Sequence, residues 1–258
     1  MSVDRARPVG GVPHHGEVLH AFLDESYFKN DVHIVGALVL TSDQIHVVDT
    51  ALNDIIWETS RVHPQVPLDI EFHGQNLFQR HQDWTCLRNP VDQPKLAFAI
   101  YRRALSRIVQ AGGIWIIGGI QQIDRLARRG YPEPWPPHQI ALQFTLERVH
   151  DYAASVGEQV RIVCDEVPDQ AHHEQRMQQF RLAGRTPGWE PRTLSTIEPD
   201  WTWTDSRHHR SLQAIDMLTY VYLRKRFVPG GDERVKAEVV KMRDIIHPHL
   251  HREKIWTP

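Results

Sequence analysis

Two largely apolar runs in this chain stop on an aspartate. Ala21-Phe22-Leu23 leads into Asp24-Glu25-Ser26, and Val160–Cys164 leads into Asp165-Glu166. Short apolar runs bounded by polar residues read as buried strands. A carboxylate leaving such a strand is expensive to desolvate unless a cation or donors compensate it. In open α/β sheets the edge where strands end is also where ligands bind. The alternative at each position is a turn aspartate that bonds neighbouring amides.

The segments between these runs fix the fold class. A strand is expected over Val18–Leu23 and a second over His33–Leu40, with a turn, Tyr27–Asp31, short enough for an antiparallel hairpin. Thr41-Ser42-Asp43 offers N-cap chemistry, and Ile45, Val48, Leu52, Ile55 and Ile56 recur at spacings of three and four through about Thr59, which predicts a helix. Then come an extended piece at Leu68–Phe72, a helix over Lys95–Gln110, a strand at Ile114–Ile120 and a proline-rich loop at Tyr131–Pro137. A helix over His138–Val156, a strand at Gln159–Cys164, a polar helix near Ala171–Ala183 and an edge strand at Arg192–Ile197 follow. The loop Glu198–Arg210 leads to helices Ser211–Arg226 and Glu233–Ile246. Alternation of this kind predicts an α/β fold, a mixed β-sheet flanked by helices. Residues 1–16 read as a flexible polar leader and 17–258 as a single α/β domain with a helical C-terminal extension. With 258 residues, 41% of them hydrophobic, the core is large enough for that.

Several function classes drop out. No G-x-G-x-x-G follows a strand and no G-x-x-x-x-G-K-[ST] exists, so the usual phosphate cradles are missing. Cys86 and Cys164 form no C-x-x-C pair, which excludes zinc ribbons and thioredoxin-like motifs and fits reduced thiols in a cytoplasmic protein. No apolar run reaches membrane length and the N-terminus lacks a signal-peptide core, so no membrane partner is expected. Lys and Arg total 30 against 32 Asp and Glu, so a nucleic-acid partner, RNA or DNA, would need a local basic patch or neutralising metals. The seventeen histidines show no H-E-x-x-H spacing and read mostly as surface.

Asp216 is the most informative single residue. It sits in SLQAIDMLTYVYLRK between Ile215 and Met217, in the most apolar helix of the chain. A carboxylate aimed into a shared metal site explains it better than a solvated aspartate on the semi-polar stripe of Gln213 and Tyr220. If the piece DIEFHGQNL is extended, Glu71 and His73 leave it on one side, where they can bind a metal or act as a base; the alternative is an ordinary surface strand pair. Carboxylates on separate elements are what two-metal phosphoryl chemistry requires, and hard Mg²⁺ or Mn²⁺ takes oxygen ligands. Asp24, Asp165 and Asp216 are therefore the expected ligands, with Glu71 a fourth ligand or base. Arg207, Arg210, Arg224, Lys225 and Arg226 flank the Asp216 helix as candidate phosphate contacts, or as ordinary charges complementing the helix dipole.

With these residues in view, the chain resembles the bacterial family named domain of unknown function 3800, in the ribonuclease H-like group. The resemblance is carried by AFLDES at Asp24-Glu25-Ser26, EFHG from Glu71 to Gly74, VCDE at Asp165, and DSRHHRSLQAIDM with Ser206, Gln213 and Asp216. It spans Asp24 to about Arg226. Tyr27 stands where the family usually has Gly, and Ile215 where it usually has Ala. The resemblance implies a ribonuclease H-like, five-stranded mixed sheet and metal-dependent nuclease potential. Within its motifs Glu25, Ser26, His73 and Gln213, together with Arg207 and Arg210, are the expected substrate-binding residues. The competing expectation is a non-catalytic module that binds a protein or nucleic acid through loop tryptophans, Trp135, Trp201 and Trp203.

Overall fold

The computed structural model describes residues 16, 18–88, 93–130, 135–166, 170, 175, 178–180, 182–187 and 190–258. Nearly all of the expected leader, the start of the proline-rich loop and most of the polar helix expected at 171–183 lie outside the described residues.

The opening hairpin pairs β1 (Leu19–Phe28) with β2 (Val32–Leu40) in an antiparallel register that sets Asp24 opposite Gly36. β1 is longer than the expected Val18–Leu23. It continues through Asp24 because β2 supplies partners as far as Phe28↔Val32. β3 (Ile114–Gln121) lies antiparallel to β2, and β4 (Val160–Asp165) runs parallel to β1. The β1–β4 ladder ends at Leu23↔Cys164, so Asp24 and Asp165 both stand where it stops.

Two edge strands complete the sheet. β5 (Thr202–Thr204) is parallel to β4, and β6 (Leu250–Trp256) is parallel to β3. The order is β5-β4-β1-β2-β3-β6, and β2 alone runs against the others. The fold is thus α/β, a six-stranded mixed sheet flanked by helices. The implied sheet of five strands gains a sixth. The helical C-terminal extension is α-helical to Ile246 and continues as a 3-10 turn, His247–His249, and its tail is β6. Four consecutive exposed residues, His251–Lys254, hide the strand pattern there.

The expected edge strand Arg192–Ile197 is replaced by β5, inside the segment read as a loop. Leu194 takes a left-handed backbone (φ 54°), which breaks an extended run, and Ile197 makes a single bridge to Val160. Leu68–Phe72 forms no ladder either.

Side-chain alternation divides the core between the two faces of the sheet. Phe22, Ile34, Leu38, Trp115 and Ile117 face one side. That side is covered by α1 (Ser42–Val62), α2 (Gly74–Gln79), α3 (Gln93–Gln110), α6 (Arg210–Phe227) and α7 (Glu233–Ile246). Ala21, Leu23, Val35, Ala37 and Ile116 face the other, under α5 (Pro137–Val156). A short α4 (Asp124–Arg128) follows β3. Thr41 starts α1 with a capping box, its side chain accepting from the Gln44 amide while the Gln44 side chain accepts from the Thr41 amide. No helix among the described residues is long and apolar enough to cross a membrane.

Gly36 sets the distance between α6 and the sheet. A Cβ there would collide with Thr219 Oγ1 and press on Ile215 Cδ1 at 3.0 Å, both on α6. Its absence lets the helix that carries Asp216 approach the strand pair that carries Asp24.

Candidate active site

Strand parity places the first carboxylates. Asp24 shares a face with Phe22 and Asp165 with Val163, and both apolar partners belong to the core beneath α6. Asp216 enters from α6, and Glu71 and His73 from the segment that leads into α2. These residues line one cavity of about 490 Å³, together with Glu25, Ser26, Ser206, Gln213 and Tyr220. The four expected metal ligands, Asp24, Glu71, Asp165 and Asp216, therefore meet around one space.

Loop residues hold that ring in place. Ser206 Oγ donates within reach of both Asp165 Oδ2 (3.1 Å) and Glu71 Oε1 (3.2 Å), and the Ser206 amide donates to Asp165 Oδ1 (2.9 Å). Asp205 caps the short 3-10 turn Ser206–His208 and so fixes the serine. Ser206 is the site residue that sequence reasoning left without a role, although it stood in the closing motif. The Gly74 amide donates to Asp216 Oδ2 (2.8 Å). A Cβ at Gly74 would stand 2.9 Å from Tyr101 Oη and 3.2 Å from the Asp216 carbonyl, so only glycine brings that amide so close.

Gln213 and Arg210 have work inside the fold. Gln213 is 1% exposed. Its Oε1 accepts from the Phe72 amide (3.0 Å) and Arg210 Nη1 (2.7 Å), and its Nε2 donates to the Ser206 and Arg207 carbonyls (2.8 and 3.1 Å). Arg210 also donates to the Ile70 carbonyl and Asn53 Oδ1, both at 2.8 Å. Together they tie the Glu71 segment to the Ser206 loop. Both are among the expected substrate-binding residues; in the structure their side chains make these internal bonds, and Gln213 also lines the cavity. Arg207 is exposed and stands outside the cavity lining. Arg224 packs over the Phe78 ring and Arg226 pairs with Glu253.

The electrostatics are those of crowded carboxylates. Burial, then the charges of Asp216 and Glu25, push Asp24 well above the usual carboxylate range. Burial also raises Asp216, against the pull of His73 and the Gly74 N–H. His73 Nδ1 lies 3.4 Å from Asp216 Oδ2 but has no aligned hydrogen bond although that nitrogen is buried.

The donor set is oxygen-rich, four carboxylates and a serine hydroxyl, which suits a hard divalent cation. The carboxylates form a ring wider than one ion's closed shell. Among the described residues, only Glu25, His33 and His138 bring three ligand atoms all within 4.8 Å of one another. A pair of ions about 3.5–4 Å apart fits a wider ring better than a single ion does. No protein-family model matches the chain, and no curated protein matches it.

Proposed function

We propose that the chain is a cytoplasmic, Mg²⁺- or Mn²⁺-dependent nuclease of the ribonuclease H-like group that hydrolyses RNA or DNA. The observation that carries this reading is the convergence of Asp24, Glu71, Asp165 and Asp216 on one cavity. The strand order β3-β2-β1-β4-β5, with only β2 reversed, supports the fold part of the reading, as does the resemblance of the motifs at Asp24, Glu71, Asp165 and Asp216 to the domain of unknown function 3800 family.

Asp24, Asp165, Asp216 and Glu71 would hold the metal. Bound there, the cation supplies positive charge against a phosphodiester and lowers the pKa of attacking water. Hydrolysis forms a P–O bond to the water oxygen and breaks the P–O bond to the leaving sugar oxygen, which takes up a proton. His73, whose buried Nδ1 lies 3.4 Å from Asp216 Oδ2, would carry a proton beside the metal. Ser206 keeps Glu71 and Asp165 on their side of the cavity, and Gln213 and Arg210 keep the Glu71 segment against α6. A polyanionic strand would be repelled by four carboxylates alone, so metal loading and strand binding reinforce each other.

The competing binding-module reading relied on Trp135, Trp201 and Trp203. Trp135 stacks on Phe180 (5.7 Å between ring centroids), and Trp201 packs against Trp203 (5.8 Å). All three are half-buried against the core under α5, which leaves less aromatic surface for a partner.

The test is a cleavage panel of labelled RNA and DNA, single and double stranded, with Mg²⁺, Mn²⁺ or EDTA. Metal-dependent cleavage that Asp24→Asn and Asp165→Asn each abolish is the expected result. A folded parent protein that cuts nothing in the panel overturns the proposal.

A further inference from the structure

On the opposite face of β1 from Asp24, three side chains converge to which the nuclease reading gives no catalytic role, although one of them, Glu25, also borders the acidic cavity. Glu25 Oε2 lies 3.3 Å from His33 Nε2 and 3.1 Å from His138 Nε2. All three ligand atoms fall within 4.8 Å of one another. We propose that Glu25, His33 and His138 form a separate site for a Zn²⁺-class transition-metal ion. The inference does not depend on the nuclease reading.

The donor set differs in kind from that of the acidic cavity. Two imidazoles and one carboxylate favour Zn²⁺ and its first-row neighbours, whereas carboxylates and waters alone favour Mg²⁺ or Mn²⁺. The spacing also fits. A tetrahedral ion with bonds of about 2.0–2.1 Å to nitrogen and oxygen holds its ligands roughly 3.3–3.4 Å apart. Both Nε2 atoms already stand at about that separation from one carboxylate oxygen. The two rings sit 5.2 Å apart at 78°, edge to face, which brings both beside the same carboxylate.

Each ligand comes from an element whose position is fixed by its own pairing. In the β1–β2 register Tyr27 opposes His33 and Glu25 opposes Val35, so Glu25 and His33 are diagonal neighbours on one face. His138 lies in the first turn of α5, beside Pro137 at the start of the helix. An ion there clasps the start of α5 to the hairpin. The side chains are 17% (His33), 26% (His138) and 43% (Glu25) exposed, which leaves access for the ion and room for a water ligand. Three protein ligands and a water are the usual complement of an open zinc site.

The experiment uses untagged full-length protein, titrated with Co²⁺ alone and with Zn²⁺ against a chromophoric indicator. The expected result is one equivalent of tight Zn²⁺ and a visible Co²⁺ absorption of tetrahedral intensity. His33→Gln and His138→Gln, made singly and together, should lose that absorption while keeping the parent's helical circular dichroism. Zn²⁺ affinity of the double variant should fall by more than about 100-fold, beyond what loss of an outer-shell partner costs. Asp24→Asn should bind Zn²⁺ like the parent. Three outcomes overturn the proposal: no binding by the parent, equal binding by the histidine variants, or loss of Zn²⁺ in Asp24→Asn. If the double variant does not fold, either folded single variant decides in the same way.

Discussion

Asp24 on β1 and Gly36 on β2 are cross-strand partners, and the missing side chain at 36 is what lets α6 close over Asp24. One backbone position thus sets both the packing of the central helix and the reach of Asp216 toward the strand carboxylates.

Gly36→Ala should therefore be costly in two ways. Pushing a methyl against Thr219 and Ile215 is overpacking, worth about 1–3 kcal/mol of stability. The displaced α6 should also weaken metal binding. Urea unfolding with EDTA and with Mg²⁺ measures both, and a variant as stable as the parent would remove the packing argument.

Asp24→Asn should reveal the strain of the metal-free site through pH. Burial and the charges of Asp216 and Glu25 raise the folded-state pKa of Asp24 above its unfolded value. The folded protein then keeps a proton that the unfolded chain has released. Stability from this group is complete below the unfolded value, about 3.9, and is lost as pH rises through the raised one. Asn does not titrate, so in EDTA the variant should gain on the parent as pH rises across that window and hold its lead above it. Saturating Mg²⁺ should reverse the order, because only the parent binds it well. A gap between the two that does not change with pH would contradict the electrostatic account.

Ser206→Ala removes the hydroxyl shared by Glu71 and Asp165. The fold should lose only about 0.5–1.5 kcal/mol. Metal affinity or cleavage should fall about 10–100-fold, as for other groups that orient ligands. Calorimetric Mn²⁺ titration separates the two effects, and unchanged affinity and cleavage would leave Ser206 a loop cap.

Gln213→Leu keeps the size of the side chain and strips its bonds to Phe72, Ser206, Arg207 and Arg210. Each buried group left unpaired costs about 1–3 kcal/mol. Thermal melting should show a large loss, with Glu71 the first site residue released; hydrogen exchange at the Phe72 amide reports that directly. A small loss with a still-protected Phe72 amide would show that other contacts suffice.

The contrast between Asp216 and Gln213 explains what was legible in the sequence. Asp216 stood out because a carboxylate among Ile215, Met217 and Leu218 contradicts its helix, and Asp24 and Asp165 because each follows an apolar run. Those are local signals. Gln213 bonds to Phe72 across 141 positions, and nothing beside either residue announces the pair. Glu25 reads as part of the D-E-S motif, yet strand parity puts it on the face of β1 opposite Asp24, beside His33 and His138. The edge strands escaped for another reason. β5 has three residues and β6 is exposed over most of its length, so neither carries the alternation that burial on one face writes into a strand.

That last strand bears on how the protein is made. β3 finds its inner partner, β2, in sequence already synthesised, but its outer edge stays unpaired until Leu250–Trp256 emerge from the ribosome. A bare edge on a strand as apolar as IWIIGGI is a template for pairing with other chains. The charged residues of β6 then act as a late-arriving cover, so a nascent chain stalled before Leu250 carries its aggregation hazard in β3, however well the acidic cavity has already formed.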